Sequence, residues 1–390
     1  MTTDVKFFDG KMAGAPQISG TKGSLLAVID ACLVTGFGLK SVTSITVASG
    51  VATVVLSSGN FVVNQVLLVE GATPAGLNGE KRVLALTAAS TFTFDATGVA
   101  DGVATGTITA KVAPLGWLKA FAGTNSGAYK IDPALYPDTT GCLVRLEDTG
   151  NYATKICGYE SMTSVDVGAA PFPTVAQRTT GLWVFRSEST VTTSYRHWFV
   201  VGDGRFVYVG VHSYYDNLTS YGNCWFGFGE FKSKKTTDPF RFLVTGNGTS
   251  DTTSDSQATY ACTATSASYL YCARSYTGLG GSVGVNTSTW PSPYGASGGA
   301  GPIPYPNGPD YGLYLCDAQI IENTHYRGDW PGMKFIPQNL SNKICADTKT
   351  AYFDTEVVGY ENKLVGFYPC AHSSAQWGVV AFDLTGPWAH

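Results

Sequence analysis

Between residues 45 and 112 the chain is a succession of short β-branched runs, each cut off by a turn signal, and few folds other than a small all-β unit satisfy that pattern. The runs include Gly50-Val51-Ala52-Thr53-Val54-Val55-Leu56, Val66-Leu67-Leu68-Val69 and Phe92-Thr93-Phe94. Ser49-Gly50, Ser58-Gly59-Asn60, Leu77-Asn78-Gly79 and Asp101-Gly102 supply the hairpin and turn chemistry between them. Five or six strands of ordinary length fit in about 70 residues, the size of a small sandwich or barrel.

A chain of 390 residues is longer than one core usually spans, so more than one domain is expected. Only one stretch reads as an amphipathic helix: Leu25, Val28, Ile29, Cys32 and Leu33 fall at helical spacing, with Ser24 placed to cap the start and Gly36 to close the end. The glycine-rich arm before it, residues 6–23, suits an extended strap. Beyond Pro114-Leu115-Gly116-Trp117, strand-like runs continue at 141–146, 182–185, 198–201, 205–211 and 240–244, and again at 313–316, 351–357, 363–368 and 377–382. The predicted fold is therefore mainly β, of sandwich or barrel type, with one short N-terminal helix. Residues 1–40 and 113–390 form the main domain, and residues 41–112 are a small all-β insertion. Two low-complexity stretches, 245–265 and 278–308, read as long loops that reach a neighbouring subunit or form flexible tips.

Charge narrows the function. Charged residues make up only 14% of the chain, and its net charge of −4 argues against a nucleic-acid surface, which needs a concentrated Lys/Arg patch. The basic run Lys232-Ser233-Lys234-Lys235 reads as a solvated loop. No stretch approaches the roughly 20 apolar residues that span a bilayer, and Met1-Thr2-Thr3-Asp4-Val5-Lys6 does not read as a signal peptide. The nine cysteines are scattered without any C-x-x-C pair, which disfavours zinc and redox dithiols and leaves free, mostly buried thiols. Cys262 and Cys272 are the candidate disulfide pair under oxidation.

Catalytic signatures are weak. Gly14 through Gly20-Thr21-Lys22 has the wrong spacing for a phosphate loop, and Gly278-Leu279-Gly280-Gly281-Ser282-Val283-Gly284 misses the dinucleotide fingerprint. The histidines His197, His212, His325, His372 and His390 form no ligand motif, although His197 and His212 bracket one hairpin and could meet. Glu147-Asp148, Asp216, Glu230 and Asp329 supply carboxylates, but the separation that glycoside cleavage needs is a tertiary feature. Arg327-Gly328-Asp329 arises easily by chance and is assigned no role. No catalytic, cofactor-binding or metal-ligating residue is expected, and the chain reads as a non-enzyme.

Aromatic density is more informative. Tyr195, Trp198, Phe206, Tyr208, Tyr214, Tyr215, Trp225 and Phe228 crowd around a predicted hairpin that turns at Gly202-Asp203-Gly204. Strand alternation sends some of these inward and leaves others outward as contact residues.

The arm and helix, with Phe8-Asp9-Gly10, Gly14-Ala15-Pro16, Gly20-Thr21-Lys22-Gly23-Ser24-Leu25 and Asp30-Ala31-Cys32-Leu33-Val34, resemble the start of structural proteins of tailed phages and prophages of proteobacteria. The segment from Gly71-Ala72 to Thr105-Gly106-Thr107-Ile108 looks like their inserted β-domain, and Phe382-Asp383-Leu384-Thr385-Gly386-Pro387-Trp388 looks like their ending. The resemblance implies a virion component made in the bacterial cytoplasm and released by lysis. It implies assembly with other virion proteins and copies of itself, without cofactor, nucleic acid or membrane insertion, and it supplies no active site. A tail or tail-tip position is favoured. Capsid decoration and a host-binding adhesin that contacts a surface glycan or receptor are the alternatives. The candidate interface comprises Phe8, Pro16, Tyr195, Trp198, Tyr208, Tyr214, Tyr215 and Trp225.

Overall fold

The computed structural model describes residues 3–187, 190, 194–212, 223–246, 248, 250–251, 269–288, 306–336, 338, 352–354, 363–373 and 376–390. The chain is mainly β, at 50% strand and 5% helix, of the sandwich and barrel class. Among the described residues no helix is long and apolar enough to cross a membrane.

Strand β1 (Lys6–Asp9) leads through the arm to helix α1 (Ser24–Asp30), which runs on into a wider π-helical turn at Ala31–Thr35. The helical spacing of the sequence is realised: Leu25, Val28, Ile29, Cys32 and Leu33 are all buried. Its capping differs from expectation. Gly23 occupies the N-cap and makes no side-chain cap bond, while Ser24 Oγ turns back to Ser19 O at 3.0 Å. The acceptor comes from elsewhere in the chain: Asp148 Oδ2 accepts from Leu25 N at 3.0 Å. A carboxylate in that position satisfies free N–H groups and complements the helix dipole.

The chain then enters a closed barrel. Its strands are β2 (Phe37–Ala48), β3 (Val51–Leu56), β4 (Val66–Glu70), β5 (Gly79–Ala88), β6 (Thr91–Asp95) and, after the short β7 (Gly102–Val103), β8 (Thr109–Val112). The circuit runs β3-β6-β5-β4-β8-β2 and closes through β2 to β3. Closure works because two long strands each serve two partners. The start of β2 pairs with β8 and its end with β3. The start of β5 pairs with β4 and its end with β6. Alternation along β3 and β6 sends Ala52, Val54, Leu56, Phe92 and Phe94 inward. Phe37 pairs directly with Val112, so the chain enters and leaves the barrel at one place. Lys6 Nζ lies 2.6 Å from Glu80 Oε1, and Arg82 Nη2 donates to Val5 O at 2.9 Å, fastening the barrel to the arm.

A second sheet follows, made of β9 (Leu118–Gly123), β10 (Ser126–Lys130), β11 (Leu143–Glu147), β12 (Ala153–Ser164), β13 (Val167–Phe172) and β14 (Leu182–Phe185). All its pairings are antiparallel, and β12 is shared by β11, β13 and β14.

The largest sheet centres on β15 (Trp198–Gly202), β16 (Phe206–His212) and β17 (Asn223–Glu230), with β18 (Lys232–Ser233), β19 (Phe242–Thr245), β20 (Leu270–Cys272), β21 (Val283–Gly284) and β22 (Asn286–Ser288) towards its margins. It is completed by β23 (Cys316–Glu322), β24 (His325–Phe335), β25 (Tyr352–Asp354), β26 (Val365–Ser373) and β27 (Gln376–Asp383). β1 joins this sheet beside β15, so chain from both sides of the barrel is built into one body. The hairpin of β15 and β16 turns where the sequence indicates, with Asp203 N donating to Phe206 O at 3.0 Å. The strand expected at 313–316 begins only at Cys316.

Every residue of β15, β16 and β17 is buried. On one face Tyr208, Trp225 and Phe382 pack together, with Tyr208 and Phe382 ring centroids 4.8 Å apart. Gly210 sits opposite Trp225, and a Cβ there would lie 2.7 Å from the indole, so the glycine is what admits the ring. On the other face Phe228 meets Trp117 at 5.5 Å, and Phe242 meets Phe172 of the second sheet at 6.1 Å.

Asp148 and Arg186 hold the junction of the arm, helix α1 and the second sheet. Both side chains are fully buried, with Nη1 to Oδ1 at 2.5 Å. Thr154 Oγ1 also donates to Asp148 Oδ1, and Arg186 Nη2 reaches the carbonyls of Gly20, Gly150 and Asn151. Asp148→Ala is expected to cost about 3–5 kcal/mol, because it leaves the guanidinium buried without its counter-charge. Asp148→Leu combined with Arg186→Met should regain part of that loss in urea unfolding. A double variant no more stable than the single one would show that burial of the unpaired charge is not what destabilises the protein.

Candidate functional site

The aromatic residues expected to form a contact surface are mostly core. Phe8, Trp198, Tyr208 and Trp225 are buried within the chain itself. The physical reason is two-sided burial: the central hairpin lies inside the body, so the residues that alternation sends away from one layer meet another instead of solvent. Trp198 Nε1 donates to Pro16 O at 2.9 Å, which pins the half-buried Pro16 against the hairpin. Tyr195 alone among the described members of the set is exposed, at 57%. Tyr214 and Tyr215 lie outside the described residues, as do most of the loops 245–265 and 278–308.

The titratable candidates are also accounted for. Glu147 pairs with Arg145 at 2.6 Å, Glu230 with Arg205 at 3.0 Å and Asp329 with Lys232 at 3.6 Å, while Asp148 holds Arg186. Asp216 lies outside the described residues. His212 N donates to His197 O at 2.8 Å, so the two histidines do meet, across the open end of the hairpin. Among the described residues no cluster of three or more His, Cys, Asp or Glu gathers. Arg327 of the Arg-Gly-Asp tripeptide is buried between Glu322 and Asp238, inside β24. Cys272 is a buried free thiol, and its candidate partner Cys262 lies outside the described residues.

The cavity that stands out lies on the second sheet, and the sequence offers no obvious sign of it. Along β12, Thr154, Ile156 and Gly158 are buried inward, while Lys155, Cys157 and Tyr159 alternate onto the outer face. Register places Arg145 of β11 beside Cys157 and Pro171 of β13 beside Tyr159. The segment 173–181 folds over this face and brings Arg178, enclosing a cavity of about 150 Å³. Gly181 adopts a φ of +90, and a Cβ there would meet Lys155 Cε at 2.4 Å, so the glycine lets the lysine stem lie along the wall.

The electrostatics are one-sided. Arg145, Lys155 and Arg178 line the cavity, and no described acidic residue does. Arg145 is partly neutralised from outside, by Glu147 and by Asp166 at 2.9 Å. Lys155 makes no ion pair among the described residues. Arg178 stacks over the Tyr269 ring at 4.7 Å and donates from Nε to Tyr271 Oη at 3.2 Å, while its Nη2 is buried without a hydrogen-bond partner. Burial pushes the Cys157 thiol up to about 11 and the Tyr159 hydroxyl up to about 12, so both stay protonated at neutral pH. These three cations are about 10–30 residues apart in sequence, and only the period-2 alternation Lys155-x-Cys157-x-Tyr159 hints at a shared outer face.

Neither the known family models nor the curated proteins give a match to this chain.

Two outcomes follow from this geometry. Trp225→Ala should cost about 3–5 kcal/mol in chemical unfolding, as core aromatic deletions do, whereas Tyr195→Ala should stay within about 0.5 kcal/mol. Similar losses at the two positions would contradict the assignment of core and surface. For Cys157, the folded pKa is raised from 9.0 to about 11, so its contribution to stability is complete below pH 9 and lost as pH rises through 11. The stability of the parent protein should therefore fall more steeply over that window than that of Cys157→Ala, and parallel curves would refute the shift.

Proposed function

We propose that this chain is a non-enzymatic structural subunit of a tailed-phage virion, tail- or tail-tip-associated, that assembles through contacts with copies of itself and with other virion proteins. The observation that carries this reading is the second half of β5. Residues 84–88, Leu-Ala-Leu-Thr-Ala, are all exposed, with Leu84 at 48% and Leu86 at 42%. On one side they pair with β6, while on the other β4 reaches only as far as Arg82 and Asn60 Nδ2 donates to Ala88 O at 2.8 Å, which leaves the edge at 84–87 without a strand partner. Val62 and Val63, also exposed, precede Asn64, whose N–H bonds Val83 O at 2.9 Å.

An uncharged, apolar strand edge of this kind is a liability in an isolated protein, and natural sheets usually blunt it with lysine, proline or a covering segment. It suits a subunit whose edge is covered in an assembly, by strand addition from a neighbour. The resemblance of the arm, the β-domain and the ending to phage structural proteins supports the same reading, as does the low charge of the chain.

Quantitative mass spectrometry of purified particles from the encoding phage or prophage tests the proposal. Three, six or twelve copies per particle are expected. Hundreds of copies would point to capsid decoration and overturn the tail position, and absence from the particle would overturn the virion reading. Leu84→Lys with Leu86→Lys should leave the isolated chain folded while reducing its incorporation.

A further inference from the structure

We propose that the cavity between β12 and the segment 173–181 binds an acidic monosaccharide unit, a single sugar ring carrying a carboxylate. Three features define the ligand. Its charge follows from the lining: Lys155 and Arg178 have no ion-pair partner among the described residues, whereas Arg145 is already paired with Glu147 and Asp166. Arg178 lines the cavity as a charged group, while its Nη2 is sealed from solvent without a hydrogen-bond partner. Arg178 is fixed there by the Tyr269 ring beneath it and the Tyr271 hydroxyl at its Nε.

The size of the ligand follows from the volume. A cavity of about 150 Å³ is of the order that holds one six-membered ring, well below the 300 Å³ or more of a drug-sized site. Its remaining character follows from the walls. Pro171 and Pro173 offer an apolar surface to the C–H face of a ring, and the Tyr159 hydroxyl offers a polar contact to its rim. The opening is marked by Val175 and Thr179, both exposed, so an end residue or a side branch of a longer glycan can enter. Guanidinium and ammonium groups on a carboxylate give charge-assisted bonds, with arginine adding geometric selectivity.

This inference does not rest on the virion reading, because the purified chain would bind the ligand whatever particle it belongs to. Isothermal titration calorimetry of the full chain with D-glucuronate at low ionic strength should show saturable binding with a dissociation constant on the order of 1 mM. Lys155→Met and Arg178→Gln should each weaken it about tenfold or more, and added salt should weaken it further. D-Glucose should show no saturable binding, and inorganic phosphate should bind more weakly than glucuronate. Val175→Asp places a carboxylate at the exposed mouth without touching the core, so it should abolish binding even if either of the other variants folds poorly. Absence of saturation with glucuronate, or undiminished binding by the folded variants, would overturn the site. Equal affinity for phosphate and glucuronate would reduce it to a bare anion site and overturn the assignment to a sugar.

Discussion

The buried pair of Asp148 and Arg186 is the point on which the arm, helix α1 and the second sheet converge. One oxygen of the carboxylate caps helix α1, and the other takes the guanidinium and the Thr154 hydroxyl. The guanidinium in turn collects carbonyls from the arm at Gly20 and from the turn at Gly150 and Asn151. A helix of seven residues is too short to persist by propensity alone, so its position depends on tertiary contacts, and this is a polar one. A buried ion pair is weak as a source of net stability, since desolvation offsets most of the attraction. Its effect here is on specificity: few arrangements of arm, helix and second sheet satisfy all of these donors and acceptors at once. At the other end of the helix, Lys119 and Tyr129 hold Asp30 at 2.8 and 2.6 Å, so residues of the second sheet and its turn fix both ends.

The central strands of the large sheet are buried on both faces. Strands covered on one side only must alternate apolar and polar residues, whereas β16 and β17 carry Phe206-Val207-Tyr208-Val209 and Trp225-Phe226-Gly227-Phe228 with no such alternation. Space for the rings comes from glycines at paired positions, Gly210 facing Trp225 and Gly227 facing Tyr208. The dense aromatics and abundant glycine of this region are thus two aspects of one packing solution.

This explains what could be read in advance and what could not. The barrel was legible because its pattern is local: period-2 alternation and turn residues lie within a few positions of one another. The buried stripe of the helix was equally legible, but its cap was not, because the acceptor lies 123 residues away at Asp148. Alternation predicts Trp198, Tyr208 and Trp225 as partly outward because it says nothing about a second covering layer. The cationic cavity escaped notice for a related reason. Arg145 and Lys155 look like ordinary surface charges, and Arg178 belongs to a segment whose fold over β12 is fixed by Gln177, bonded to Thr174 N and to Ser282 O.

The attachment of the barrel bears on what its surface can do. A module joined only by a flexible linker presents an averaged surface, and ordering it on a partner costs conformational entropy. Here the two connections enter side by side at Phe37 and Val112, and Lys6, Glu80 and Arg82 form a polar clamp at the base, with Lys6 also donating to Pro114 O at 2.6 Å. Arg82 and Glu80 belong to the first half of β5, and the exposed Leu84 and Leu86 to the second half of the same strand. The strand that fastens the barrel to the body is therefore the strand that offers its open edge. An edge held in this way needs little further ordering before a neighbouring strand can add to it, which is the property that a repeated assembly contact requires.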